Sequence, residues 1–250
     1  MQSIPERQTT ILARLDRDGR VVSATLADEL GVSVDSIRRD LHELEVLGAL
    51  RRVHGGAVRP LPGKPEFLDR IQDDAPGKAA IAQRAGALIA DDQLVAIGGG
   101  TTALEWARSL RRDLRATILT SSPDVALALR THPDVTVDVL GGRLDRASQT
   151  LTGAATVEQL RTVRPDVCVV SPCWLDVEHG VTLRERAEAD VVRAMIERSR
   201  RVVAIATEDK LRTAGPYVVA GVDRVDVLVT DAPDELAAEY GRLGIEVLTP

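Results

Sequence analysis

Aromatic side chains are nearly absent: the 250 residues include two Trp, two Tyr and one Phe. Proteins that grip RNA or single strands stack bases on aromatic rings, and this chain has no such platform. Cysteine is as scarce. Cys168 and Cys173 stand alone, and the four histidines (His42, His54, His132, His179) are scattered. Zinc ligation needs clustered Cys and His at short spacings, so neither a metal site nor a cofactor is expected. The two thiols read as free cysteines of a reducing compartment. No apolar run approaches the roughly 18 residues needed to cross a bilayer. The first twenty residues mix both charge signs without an apolar core, so no signal peptide or membrane contact is expected and a cytoplasmic location is. The chain also lacks a Gly-Lys-Ser/Thr ending and a Gly-x-Gly-x-x-Gly fingerprint for nucleotides.

What remains is a chain with 44% hydrophobic and 28% charged residues, enough to bury a sizeable core. Its formal charge of −6 is unevenly spread. Residues 1–59 hold nine Arg, no Lys and nine acidic residues, so the acidity lies wholly in the remainder. A neutral segment with arginines clustered at 38–39 and 51–52 still suits DNA, because local charge at the phosphates matters more than the total.

Residues 32–48 read as one helix with both ends marked. Ser33 is placed to cap the first turn and Gly48 to end the last. Ile37, Leu41, Leu44 and Leu47 form an apolar stripe that must pack, opposite Asp35, Ser36, Arg38, Arg39, His42 and Glu43. The polar face is either an ordinary solvated surface or one that lies in a DNA major groove, where arginine takes a guanine edge or a phosphate bidentately. Upstream, a first helix over 5–18 and a possible strand at Val21-Val22 lead to a short helix at Thr25–Leu30 and a Gly31 turn. Together these make a helix–turn–helix. Downstream, residues 49–59 read as two strands around a Gly55-Gly56 turn, the hairpin of a wing.

Glu6-Arg7, Ser33-x-x-Ser36-Ile37-Arg38-Arg39-Asp40-Leu41-x-x-Leu44 and Arg52-Val53-His54-Gly55-Gly56-Ala57 together resemble the N-terminal signature of the DeoR family of bacterial transcription regulators. The resemblance implies that Ser33, Ser36, Arg38, Arg39 and His42 face the groove of a double-stranded operator. Arg51, Arg52 and His54 would contact its backbone from the wing.

Prolines at 60, 62, 65 and 76, with Gly63 and Gly77, mark 60–77 as a linker. Phe67 within it would be costly to leave exposed. The expected division is therefore a winged helix–turn–helix at 1–59, a linker at 60–77 and an effector-sensing domain at 78–250. From Lys78 helical and strand patterns alternate, the mark of an α/β layer with a parallel sheet. Ligands of such sheets bind at the carboxyl ends of the strands. There Gly98-Gly99-Gly100-Thr101-Thr102 is either an anion cradle at a helix N-terminus or a tight turn that simply needs glycine. Lys210 beyond a later strand either supplies a cation to that anion or is a surface lysine, and Gly141-Gly142 either approaches the ligand or only turns the chain.

Arg70, Lys78-x-x-Ile81-Ala82, Gly100-Thr101-Thr102, Thr120-x-Ser122, Leu140-Gly141-Gly142, Glu188-x-x-x-x-Arg193-x-Met195-Ile196 and Lys210 resemble the DeoR-type sensor domain, which shares its fold with ribose-5-phosphate isomerase. The resemblance implies sensing of phosphorylated sugars through Gly99, Gly100, Thr101, Thr102, Ser121, Gly141, Gly142 and Lys210. Gly98, Ser121 and Thr207 depart from the family's usual Asp, Asn and Asp. That leaves phosphate binding intact but weakens the hold on sugar hydroxyls, and the expectation is either a phosphorylated or otherwise anionic ligand other than an ordinary hexose phosphate or a pocket that has lost tight sensing. The chain is thus expected to be a repressor of carbohydrate-metabolism genes and not an enzyme. It should work as a homo-oligomer (dimer or tetramer), because one winged domain reads too few base pairs for useful specificity. The alternative is a sugar-phosphate isomerase-like enzyme with an appended DNA-binding domain, its base drawn from Asp176, Glu185, Asp209 or Asp231.

Overall fold

The computed structural model describes residues 4–47, 49–53, 55–58, 67–70 and 75–250. They divide into two compact units, Met1–Gly63 and Lys64–Pro250.

In the first unit, α1 (Ile4–Asp18), β1 (Arg20–Val22), α2 (Ser23–Leu30) and α3 (Val34–Val46) precede a hairpin of β2 (Arg51–Val53) and β3 (Gly56–Val58). β3 lies between β1 and β2 in an antiparallel sheet. One core holds it together: Ile11 and Leu15 of α1, Leu26 and Ala27 of α2, Ile37, Leu41 and Leu44 of α3, and Ala57 of the wing. The turn between α2 and α3 depends on Gly31, whose φ of 63° is left-handed backbone that costs glycine little. Two expectations need correction. Leu47 does not extend the buried stripe: it is 75% exposed, because α3 ends at Val46 and the chain turns away. Nor is Gly55-Gly56 the wing's turn, since Val53 pairs with Gly56 and places Gly56 inside β3. It must be glycine there, because a Cβ would come within 1.9 Å of the Val21 carbonyl oxygen. Gly48 and its expected cap lie outside the described residues.

The second unit opens with α4 (Phe67–Arg70) and α5 (Ala75–Gly86). Pro76 and Gly77 therefore belong to the first turn of a helix, where proline's missing N–H is harmless, and not to a linker. Phe67 is buried, as its apolar ring requires. Then come β4 (Leu94–Ile97), α6 (Thr101–Ser109), β5 (Ala116–Thr120), α7 (Pro123–Leu129) and β6 (Val135–Val139). After a two-stranded excursion, β7 (Arg143–Asp145) and β8 (Thr150–Thr152), the chain forms α8 (Ala154–Arg161) and β9 (Val167–Val170). β10 (Trp174–Asp176), β11 (Gly180–Leu183), α9 (Arg186–Arg198), β12 (Arg201–Ile205), β13 (Tyr217–Ala220), β14 (Val227–Val229), α10 (Asp234–Gly241) and β15 (Glu246–Leu248) complete it.

Seven strands make a parallel sheet in the order β15-β14-β12-β9-β4-β5-β6. Its central strands are apolar on both faces because both are covered. Val167 and Val169 enter one core and Cys168 and Val170 the other, and β4, β12 and β14 alternate likewise. Strand order reverses between β4 and β9, and the crevice at the carboxyl ends of those two strands is the natural ligand position. The short antiparallel strands β7, β8, β10, β11 and β13 were not apparent from the sequence pattern. No helix of the described residues is long and apolar enough to cross a membrane.

Candidate DNA-reading face and effector pocket

On α3 the physics of capping and burial sets the display. The Ser33 hydroxyl accepts from the Ser36 N–H at 3.2 Å and lies 2.9 Å from the Ser36 hydroxyl, so both serines are engaged in starting the helix. Asp40 is drawn inward to a bidentate pair with Arg7 of α1, at 2.5 and 2.9 Å. A buried charge is tolerable when both its oxygens are satisfied in this way. The pair pins α1 across α3 and leaves the outward face to Asp35, Arg38, Arg39 and His42. Arg38 donates to Asp35 one turn earlier at 3.1 Å. Arg39 and His42 are exposed, with no side-chain hydrogen bond or ion pair among the described residues. In the wing, Glu45 accepts from the Arg52 N–H at 2.9 Å and holds its guanidinium at 3.3 Å. Arg52 thus braces hairpin to helix, which a reading of the sequence did not anticipate. The side chain of Arg51 and all of His54 lie outside the described residues.

At the sheet's switch point, Gly98 and Gly99 are buried and Gly100 is half-buried with φ of 112°, a conformation suited to glycine. A Cβ on Gly99 would sit 2.3 Å from Thr150, and one on Gly100 would meet the Ser171 hydroxyl at 3.1 Å. The glycine run therefore draws the β4, β8 and β9 loops together. Thr101 and Thr102 are buried in the first turn of α6, and the Thr102 hydroxyl has no hydrogen-bond partner among the described residues. Ser121 is buried beside this loop, its carbonyl accepting from Leu151 N–H at 2.7 Å. Gly141 and Gly142 serve differently. The Gly141 N–H and C=O bond to Gln159 and Thr156 of α8, and a Cβ on Gly142 would strike Thr156 at 2.1 Å, so this turn is clamped to α8.

Lys210 is enclosed by protein yet keeps part of its surface open, as the wall of a recess does. Burial pushes its ammonium below the usual lysine value, with Cys173 and Asp209 opposing and Arg70 and Lys78 adding to the shift. These two cations were not among the residues singled out as binding candidates. Lys78, itself buried, donates to the Arg70 carbonyl at 2.8 Å and so fixes the end of α4. Cys173 stands two residues beyond Ser171, whose hydroxyl a Cβ on Gly100 would meet, and its thiol feels Glu188, Lys210 and Arg70. Glu188 completes the group: burial pushes its carboxyl up to about 7, Arg70 opposes this, and Asp145 and Glu185 add to it. The pair Arg70 and Lys78 lies more than a hundred residues from Glu188 and Lys210, so no local pattern could join the two pairs.

Two of the four carboxylates considered for catalysis are engaged in closing turns. Asp176 accepts from Glu178 N–H and His179 N–H, both at 2.9 Å, and Asp231 from Glu208 N–H at 2.8 Å. Both act as turn-closing groups rather than as free bases.

Residues 7–61 match a family described as the DeoR-like helix-turn-helix domain, and residues 73–232 one described as the DeoR C terminal sensor domain. The chain is 31% identical over 229 residues to the HTH-type transcriptional regulator GolR of Listeria innocua, across 90% of each chain. It is 27% identical over 229 residues to the glycerol-3-phosphate regulon repressor of Escherichia coli, across 91% of each. Among solved structures, ribose 5 phosphate isomerase A from Neisseria gonorrhoeae aligns with a TM-score of 0.41 at 14% identity, over 55% of this chain and 53% of that one.

Proposed function

The chain belongs to the DeoR family of transcription regulators, and from that premise we propose that it is a repressor whose first unit reads an operator and whose second unit binds a small anionic effector of the phosphorylated-sugar class. The observation that carries the first half is the outward face of α3. Its core-facing side is consumed by Ile37, Leu41 and Leu44, while Arg39 and His42 project without partners among the described residues. An unpaired arginine on an exposed helix face loses no internal bond when it takes a guanine edge. Arg38, one turn from Asp35, exchanges a weak exposed pair for DNA. Ser33 and Ser36 present the helix start to the phosphates, and the wing, with Arg51, Arg52 and His54, lies along the backbone.

The second half rests on the cations at the strand ends. Lys210 and Arg70 offer positive charge to an anion seated near Gly99, Gly100, Thr101, Thr102 and Ser121, with Lys78 positioning Arg70. Gly141 and Gly142 shape the loop rather than contact the ligand. The reader is residues 1–59 and the sensor the unit that begins near Lys64. Operator recognition by two such readers requires a homo-oligomer, dimer or tetramer. Relatives named as regulators and repressors support this reading over an isomerase.

The test begins with a genomic DNA pulldown to obtain the operator, followed by anisotropy titrations. Arg39→Ala is expected to weaken operator binding by about 1–3 kcal/mol and to relax base preference. Arg52→Ala should weaken all sequences alike. An Arg38→Ala/Arg39→Ala protein that bound like wild type would overturn the assignment.

A further inference from the structure

We propose that Glu188 is the specificity-determining residue of the effector pocket, accepting hydrogen bonds from hydroxyl groups of a ligand whose anionic end lies on Arg70 and Lys210. This rests on the pocket proposed above and names what else the ligand must carry.

Glu188 sits in the first turn of α9. Four residues on, Val192 packs over the glycine loop, its Cγ2 3.6 Å from where a Cβ on Gly98 would stand. Residues i and i+4 share a helix face, and Cα–Cβ bonds tilt toward the helix N-terminus. Glu188 therefore lies on the face of α9 that covers the Gly98 loop, one turn nearer the mouth of the crevice. Its carboxyl is deeply enclosed, yet the residue keeps some open surface, as Lys210 and Cys173 do. Among the described residues its carboxyl makes no hydrogen bond and no ion pair, and neither does the side chain of Arg70 or Lys210.

A buried polar group without a partner is costly, and folds remove such groups unless a ligand supplies the partner. Contrast Asp40, 2% exposed, whose two oxygens are both filled by Arg7. An unpaired carboxyl that feels Arg70, with Lys210 reached through Cys173 and Arg70, matches a ligand that is anionic at one end and rich in hydrogen-bond donors at the other. A bare anion would leave Glu188 unsatisfied, and a second carboxylate would be repelled by it. A polyol or sugar phosphate satisfies all three groups. The other strand-end positions supply little: Gly98 has no side chain, and Ser121 and Thr207 carry only buried hydroxyls. Glu188 thus provides the carboxylate acceptor that these positions lack.

The experiment is calorimetry on the full chain with inorganic phosphate, propyl phosphate, glycerol 3-phosphate, ribose 5-phosphate and a hexose 6-phosphate. Wild type is expected to bind at least one polyol phosphate roughly 10-fold or more tighter than propyl phosphate, the effect of one to two buried hydrogen bonds. Glu188→Ala should abolish that ratio, while inorganic phosphate binds the variant at least as tightly as wild type, because a negative charge near the anion site is gone. Glu188→Gln, which keeps an acceptor oxygen and guards against a folding defect in the alanine variant, should retain part of it. A ratio near one in wild type, or one unchanged in both variants, overturns the assignment of Glu188. Failure of inorganic and all organic phosphates to bind wild type instead overturns the anion pocket itself, and this inference with it.

Discussion

The two units treat buried charge in opposite ways. In the first, Arg7 and Asp40 bury their charges against each other through two hydrogen bonds, and every side chain offered to a partner is on the outside. In the second, Arg70, Glu188 and Lys210 are enclosed but unpaired among the described residues. The difference follows from what each unit meets. DNA is a large polymer whose charge is read across an exposed surface, so the reader needs a rigid helix with its outer face free. A small effector must be desolvated to be distinguished, so its site must hold charges inside the fold, ready for a partner that is not always there.

Breaking the pair in the first unit should produce the largest effect. Asp40→Ala leaves the Arg7 guanidinium buried without a carboxylate, which typically costs about 3–5 kcal/mol. Both tryptophans, Trp106 and Trp174, lie in the second unit. Urea unfolding should therefore show an early loss of helical circular dichroism with the tryptophan transition unmoved. If both transitions shifted together, the contrast between independent units would fail.

Glu188 sharpens the comparison from the other side. Its carboxyl, ordinarily near 4.5, is pushed to about 7 in the fold. Between those values the folded chain holds a proton that the unfolded chain has released, so stability falls as pH rises from about 4.5 to about 7 and levels off above. Glu188→Gln should remove that fall and leave the sensor more stable at pH 8 by on the order of 2 kcal/mol. Thermal melts of the tryptophan signal across pH 4.5–8 decide it, and identical profiles for wild type and variant would mean Glu188 is not a strained buried acid.

The smallest contrast concerns caps. Ser33 caps α3 in the open, whereas Ser122 caps α7 at 1% exposure, accepting from Val125 N–H at 3.4 Å. Ser33→Ala should cost about 1 kcal/mol, since water can replace the lost acceptor. Ser122→Ala should cost more, toward 2 kcal/mol, because water cannot. Equal losses in chemical denaturation would show that burial of the cap does not matter.

Elements whose signals are local can be read from the amino-acid order alone. Ser33, Ile37, Leu41 and Leu44 announce α3 because capping and a 3.6-residue period act within a few turns. The unbroken apolar run Val167–Val170 announces a strand covered on both sides, as β9 is. The paired arginines at 38 and 39 are legible for the same reason, since exposure on a helix follows from periodicity alone. Tertiary structure decided what depends on distance. It turned Leu47 outward, set Arg52 against Glu45 as a brace, and made three-residue strands such as β7 and β10 out of segments too short to show alternation. It alone brought Arg70 and Lys78 to the same crevice as Glu188 and Lys210, because these two pairs stand more than a hundred positions apart and no local pattern encodes that they will meet.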